Sequence, residues 1–265
     1  MNTDPPHELR YDCHRERLGP ALGACFRPLT RDAATDAWLA THGARPHGWW
    51  RTRLTEWASS FVSSYDAHGL LDAYPMHLLS VEAWGELLEG AHQKSLLDVG
   101  AGAGYVTENA RSFFDEIVCT ETSRQLAKRL AARGFTASEL DLTVQWLART
   151  FDVVCAFNVL DRTPEPLSLL RSLVAHARDG GTVLVSIPLP LAPHVHVRGG
   201  TAAPSERLPS MAADWETAAR ELTERLLEPT GLSVTRLARL PYLSRGDLHR
   251  PLYVLDNALW VCKTR

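Results

Sequence analysis

The chain has 265 residues, 45% hydrophobic and 22% charged, the balance of an ordinary globular enzyme, and its length suits one large α/β domain with additions. A net charge of −3 argues against a general nucleic-acid binder, and positive charge is almost all Arg, the lysines being Lys94, Lys128 and Lys263. Cys13, Cys25, Cys119, Cys155 and Cys262 are widely spaced without a CxxC pair, which argues against a disulfide framework or a zinc site. The N-terminus lacks the apolar core of a signal peptide and no 18-residue apolar run occurs, so a cytoplasmic chain with no membrane span is expected.

Residues 1–90, which include WWRTRLTEWASSFVSSYDAHGLLDAYP, read as amphipathic helices with aromatic anchors and are expected to cap the binding edge of the C-terminal sheet, the plainer reading being packing alone. From about residue 95 strands and helices alternate. SLLDVGAG is a short apolar strand ending in glycines, and YVTENARSFF sets Val106, Ala110 and Phe113 on one helical face. EIVCTETS predicts a second strand. RQLAKRLAARG predicts a second helix, with Thr122 or Ser123 as N-cap, Arg133 in the last turn and Gly134 as C-cap. FTASELD reads as a weaker third strand and FDVVCAFNVL as a fourth. In PEPLSLLRSLVAHARDGG, Thr163 is the expected cap and Leu167, Leu170 and Val174 form the apolar face. GGTVLVSIPL is a fifth strand, and the alternation predicts βαβ units around a parallel sheet.

The rhythm then breaks. Residues 190–230 read as an inserted loop, LAPHVHVRGGTAAPSERLPS, and a helix, ADWETAARELTERLL, stopped by Pro229 and Gly231. LSVTRLARLPYL and YVLDNALWVCK, with only a loop between them, should pair as an antiparallel hairpin. The expected fold is α/β: a Rossmann-like sheet over residues 91–265 that resembles the class I methyltransferase architecture, closed by the C-terminal hairpin and covered by an N-terminal helical cap.

In an open α/β sheet, ligands bind outside the carboxyl ends of the strands, where the strand order reverses. The first strand ends there in Asp98-Val-Gly100-Ala-Gly102-Ala-Gly104-Tyr105. A dinucleotide fingerprint would need glycine where Tyr105 stands. Alternating glycines with an acid two residues before the first match the S-adenosylmethionine (SAM) loop instead. Glu121, about 20 residues on, stands where an acid can accept from both ribose hydroxyls. Asp98 is then expected near the methionine ammonium group, and Asp141 is a candidate for the adenine. Plainer readings are a helix N-terminal acid for Glu121 and a turn residue for Asp141.

The tip of the fourth strand poses its own question, because Asn158 and Asp161 are costly to bury unless paired. LLDVGAGAGYVTE, EIVCTETS, FDVVCAFNVLDRTPEPLSLL, LVSIPLPLAPHV, LPYLSRGD and YVLDNALWV occur in order over nearly two thirds of the chain. Together they resemble the DREV methyltransferase family, whose characterised member is a protein-histidine N-pros-methyltransferase. The resemblance implies methyl transfer from SAM to the pros nitrogen of histidine in His-x-His motifs with a small middle residue, leaving S-adenosylhomocysteine. It also implies that Asn158, Asp161 and Tyr253 line the site that receives the imidazole, Asn158 lying close to the cofactor as well.

The chemistry agrees with that implication. In a neutral imidazole, the hydrogen bond made by one nitrogen fixes the role of the other. A carboxylate such as Asp161, accepting from the tele N–H, leaves the pros nitrogen free to attack and stabilises the imidazolium that develops. The plainer readings are an ion pair of Asp161 with Arg162 or a helix cap, and a packing role for Tyr253. His194-Val195-His196 is itself a His-x-His, but valine is bulkier than the middle residues the family accepts, and no third metal ligand stands nearby. His196 is kept as a loop residue at the mouth of the site, and Trp49-Trp50 as packing. The expected partners are protein or peptide substrates, with no nucleic acid, and the chain is expected to be a monomer. The rival readings are a small-molecule N- or O-methyltransferase and a non-catalytic SAM-binding scaffold.

Overall fold

The computed structural model describes residues 8–42, 75–193, 195–197, 200–245 and 252–265. Trp49, Trp50, most of the aromatic helical stretch before residue 75, His194 and the side chain of His196 lie outside the described residues. The strands are β1 (Met76–His77), β2 (Gln93–Val99), β3 (Phe114–Glu121), β4 (Thr136–Glu139), β5 (Phe151–Phe157), β6 (Ala177–Pro188), β7 (Val195–Val197), β8 (Gly200–Ala202), β9 (Leu232–Arg245) and β10 (Leu252–Thr264). The helices are α1 (Pro20–Cys25), α2 (Ala33–His42), α3 (Val81–Leu87), α4 (Tyr105–Glu108), α5 (Arg124–Ala132), α6 (Pro166–His176) and α7 (Trp215–Leu222).

Eight strands form one sheet in the order β1-β9-β10-β6-β5-β2-β3-β4. The inner strands β2, β3, β5 and β6 run parallel, and their apolar runs are buried on both faces, as a covered parallel sheet requires. The β9–β10 hairpin closes the sheet antiparallel to β6, as the sequence predicts. Strand order reverses between β2 and β5, so their carboxyl ends open the crevice where a ligand is expected.

Strand alternation divides the core. One face carries Leu97, Val154, Val185 and Trp260 beneath α6 and α7, and Leu18, Leu22 and Phe26 join it from the N-terminal region. The other carries Leu96, Cys155, Leu184 and Leu259 and is covered by Leu79 and Trp84 of the N-terminal region. Trp84 is fully buried, edge-on to Phe114 and Phe157.

Four local expectations are corrected. The helix in YVTENARSFF is only α4, followed by a 3-10 turn over Arg111–Phe113. The Asn109 side chain donates to the Leu79 carbonyl at the break, while Val106, Ala110 and Phe113 still face the core. Helix α6 is capped by neither Thr163 nor its own N-cap residue Glu165. The distant Glu206 carboxylate accepts from Leu167 N and Ser168 N at 2.8 and 2.9 Å. Because α6 starts at Pro166, its buried face is Leu169, Leu170 and Leu173, with Leu167 and Val174 at the margin. The loop after β6 contains the β7–β8 hairpin. Lastly, the helix over ADWETAARELTERLL is α only to Leu222. It runs on as a π turn over Thr223–Leu227, where Thr223 Oγ1 accepts from the buried Trp260 indole at 2.9 Å, and stops, as expected, at left-handed Gly231.

Candidate functional site

At the carboxyl end of β2 the chain turns through Gly100, Gly102 and Gly104, all at positive φ. At two of these positions a side chain would press on a neighbouring one. A Cβ on Gly100 would lie 2.7 Å from Val159 Cγ2, and one on Gly104 would lie 2.8 Å from Leu130 Cδ2. Glycine at 100 therefore lets the β2 and β5 loops touch across the switch point, and glycine at 104 seats the loop on α5. Gly102 faces the crevice, with Met76 of β1 above it.

Two acids hold this loop. Glu121, at the end of β3, accepts from Gly102 N at 2.7 Å and from Thr122 N at 3.1 Å. Burial pushes its carboxyl up to about 7 against those backbone bonds. Asp98 is 3% exposed and accepts from Thr107 Oγ1 at 2.6 Å, so its carboxyl faces inward behind the loop. Burial raises it to about 6, opposed by hydrogen bonds from Thr107 and Cys155. Asp141 comes after β4, and its Oδ1 accepts from Thr143 N at 2.9 Å and Thr143 Oγ1 at 2.7 Å, the turn geometry of the plainer reading.

The tip of β5 stands across the crevice. Asn158 has φ +58°, a left-handed conformation that asparagine tolerates better than most residues. Its N–H bonds the Ser186 carbonyl at 2.9 Å, and its Oδ1 accepts from Ser186 Oγ at 3.0 Å and from Asn257 Nδ2. Asn257, on β10, is fully buried and also donates to Ser186 Oγ at 3.1 Å. Asp161, one turn on, is 2% exposed and paired with Arg162 Nε at 2.8 Å. The plainer ion-pair reading of Asp161 is thus present, and it leaves the carboxylate at the strand tip.

Tyr253 lies near the start of β10, opposite Ser244 of β9. By alternation it shares a sheet face with Asn257 and with Tyr242, whose partner in the ladder is Leu255. The Tyr242 hydroxyl donates to Met76 Sδ, and the charges of Asp161 and Arg162 reach it, while burial pushes it well above its ordinary value. Glycine loop, β5 tip and hairpin therefore meet at the carboxyl edge of the sheet, and Met76 of the outermost strand β1 reaches Gly102 there. The backbone of His196 belongs to β7, paired with Thr201. Sequence reasoning passed over Asn257 and Ser186. The signal that singled out Asn158, a polar residue near the carboxyl end of an apolar strand, is also present in LVSIPL. Among the described residues no group of three His, Cys, Asp or Glu could hold a metal ion, and no helix is long and apolar enough to cross a membrane.

The family model of the DREV methyltransferases matches residues 10–264. Among curated relatives, the ubiquinone biosynthesis O-methyltransferase of Nitrosomonas europaea is 28% identical over 109 residues, covering 38% of this chain and 46% of that protein. The enzyme of the same name from Haemophilus ducreyi is 30% identical over 127 residues, covering 42% and 54%. The chain spans about half the length of the curated relatives it matches. Among solved structures, the N-methyltransferase NodS from Bradyrhizobium japonicum WM9 with S-adenosyl-L-homocysteine is 16% identical, with TM-score 0.45, covering 69% of this chain and 86% of that one. The DhpI complex with S-adenosylhomocysteine is 18% identical, with TM-score 0.48, covering 82% and 93%. The glycine turn, left-handed at three positions, and the Glu121 carboxylate tied to Gly102 have the chemistry to hold S-adenosylmethionine. The chain belongs to the DREV methyltransferase family.

Proposed function

We propose that the chain methylates the pros nitrogen of histidine in His-x-His segments of protein substrates. The observation that carries this reading is Asp161, a carboxylate buried at the tip of β5 and held there by Arg162. SAM, when bound, supplies an electrophilic methyl group on a sulfonium, so the protein's main task is to position and prepare the acceptor. Asp161 accepts the tele N–H of the entering imidazole, fixing the tautomer whose pros lone pair is free, and stabilises the positive charge that grows on the ring. Arg162 orients that carboxylate. Tyr253 holds the ring or a substrate carbonyl through its hydroxyl, and Asn158 bridges the cofactor and substrate sides. Asp98, Gly100, Gly102, Gly104 and Glu121 hold the cofactor, with Asp141 toward the adenine and His196 at the mouth.

Residues 1–90 act as a cap on residues 91–265, with residues 190–230 as an insertion. Met76, set over Gly102 and bonded to Tyr242, supports the cap's reach to the cofactor edge. The names of the curated relatives favour a second reading, methylation of a small-molecule oxygen. One experiment separates the readings: the protein is incubated with SAM and either a His-x-His peptide with a small middle residue or a panel of phenols. Mass spectrometry that distinguishes pros from tele methylhistidine should find the pros isomer. Transfer to the phenols alone would replace the reading with the second one, and transfer to neither, nor to lysate proteins, would leave a SAM-binding scaffold.

A further inference from the structure

We propose that Asn257, acting with Ser186, is a positioning residue that fixes which end of the Asn158 amide the site presents, so that the β5 tip offers an N–H donor to a carbonyl or carboxylate oxygen. The inference rests on the proposed placement of Asn158 between cofactor and substrate. Asn257 Nδ2 donates to both Asn158 Oδ1 and Ser186 Oγ, and the single Ser186 hydroxyl proton goes to Asn158 Oδ1. Both lone pairs of the Asn158 carbonyl are then used inward. Its Nδ2 is buried without a partner among the described residues, and so is Asn257 Oδ1. Ser186 also bonds the Asn158 backbone, which holds the residue in its left-handed conformation. The three contacts persist in one other way only, with both amides turned over together, and Asn158 would then present a carbonyl. In that turned-over form the fully buried Asn257 would leave an N–H2 group without a partner where it now leaves only a carbonyl, the costlier arrangement. Asn257 thus sets the polarity of a side chain it does not replace.

A donor at this place does not suit the imidazole. Bonding the pros nitrogen would occupy the attacking lone pair, and the tele N–H is itself a donor. The partner is an oxygen, carried either by the methionine carboxylate of SAM or by a peptide carbonyl of the substrate. Asn257→Asp removes the inward donor and forces Asn158 to turn. Asn158→Asp keeps the inward acceptor and presents an oxygen outward, and Asn257→Ala leaves the Asn158 amide free to turn. SAM affinity by calorimetry, KM and kcat on a His-x-His peptide, and thermal unfolding are measured for each.

Both Asp variants should weaken the same ligand at least tenfold and leave the other within twofold: SAM if the oxygen is the cofactor's, peptide if it is the substrate's. Asn257→Ala should weaken that ligand three- to tenfold, and it decides the matter if Asn257→Asp does not fold. A merely structural role would lower the melting temperature and both affinities together. That result, unchanged binding in the Asn257 variants, or different ligands affected at positions 158 and 257 overturns the proposal. If the wild-type protein leaves the peptide unmethylated, the histidine reading fails separately and SAM affinity alone decides, a tenfold loss supporting the proposal and equal affinity ending it.

Discussion

Replacing Asp98 by Asn should make the cofactor-free protein more stable and the enzyme worse. The carboxyl is 3% exposed, and burial raises it from 3.8 to about 6. Two units at 1.36 kcal/mol each correspond to about 3 kcal/mol. Linkage sets the sign: the unfolded chain releases this proton near pH 4 while the folded protein keeps it to about 6, so stability is lost as pH rises through that window. Asn carries no charge to desolvate, and its carbonyl still accepts from Thr107, though its N–H2 faces the Cys155 sulfur, a weak acceptor. A net gain of about 2 kcal/mol at pH 8 remains, or roughly 4–8 °C in Tm for a chain of this size. Thermal unfolding without SAM, from pH 4 to 8, should show the variant pulling away from the wild type between pH 4 and 6 and staying ahead above. Saturating SAM should stabilise the wild type more than the variant, because a bound cation-bearing ligand compensates the buried charge only where the charge exists. A variant less stable than the wild type at pH 8, or a difference independent of pH, would refute the assignment of burial as the dominant force on Asp98.

The other predictions concern the loop, the acceptor and a cap. SAM affinity should fall as pH drops below about 7, by up to tenfold per unit, because the ionised Glu121 is the form that accepts from the ribose hydroxyls; calorimetry at pH 6 and pH 8 checks it. Asp161→Asn should leave SAM affinity within about twofold and lower peptide turnover on the order of 10²-fold or more, and wild-type turnover would end its proposed role. Gly100→Ala drives a Cβ to 2.7 Å from Val159 at positive φ, so it should cost about 1–3 kcal/mol of stability, read by urea unfolding, and weaken SAM as the two loops part. Glu206→Ala uncaps α6 and should cost about 1 kcal/mol, with SAM affinity unchanged.

The parts of the fold legible in the sequence are those where one local signal suffices. The apolar runs of β2, β3, β5 and β6 allow few other placements. Ser123 caps α5 where the structure has it, while the C-cap falls on Arg133, one residue before the left-handed Gly134 expected there. The misread parts depend on residues far along the chain. No window around Thr163 shows that a carboxylate from position 206 will cap α6, and none around Asn109 shows that its side chain will reach the Leu79 carbonyl. The site divides the same way. Burial cost alone directed attention to Asn158 and Asp161, because a polar residue at an apolar strand tip needs a partner. For Asn158 the partners are Ser186 and Asn257, 28 and 99 residues away, joined only because the hairpin returns antiparallel beside β6. Asking of β6 and β10 the question asked of β5 would have named both. A polar residue near the carboxyl edge of an apolar strand is best read together with its equivalents on neighbouring strands, since the sheet makes them one cluster before any ligand arrives.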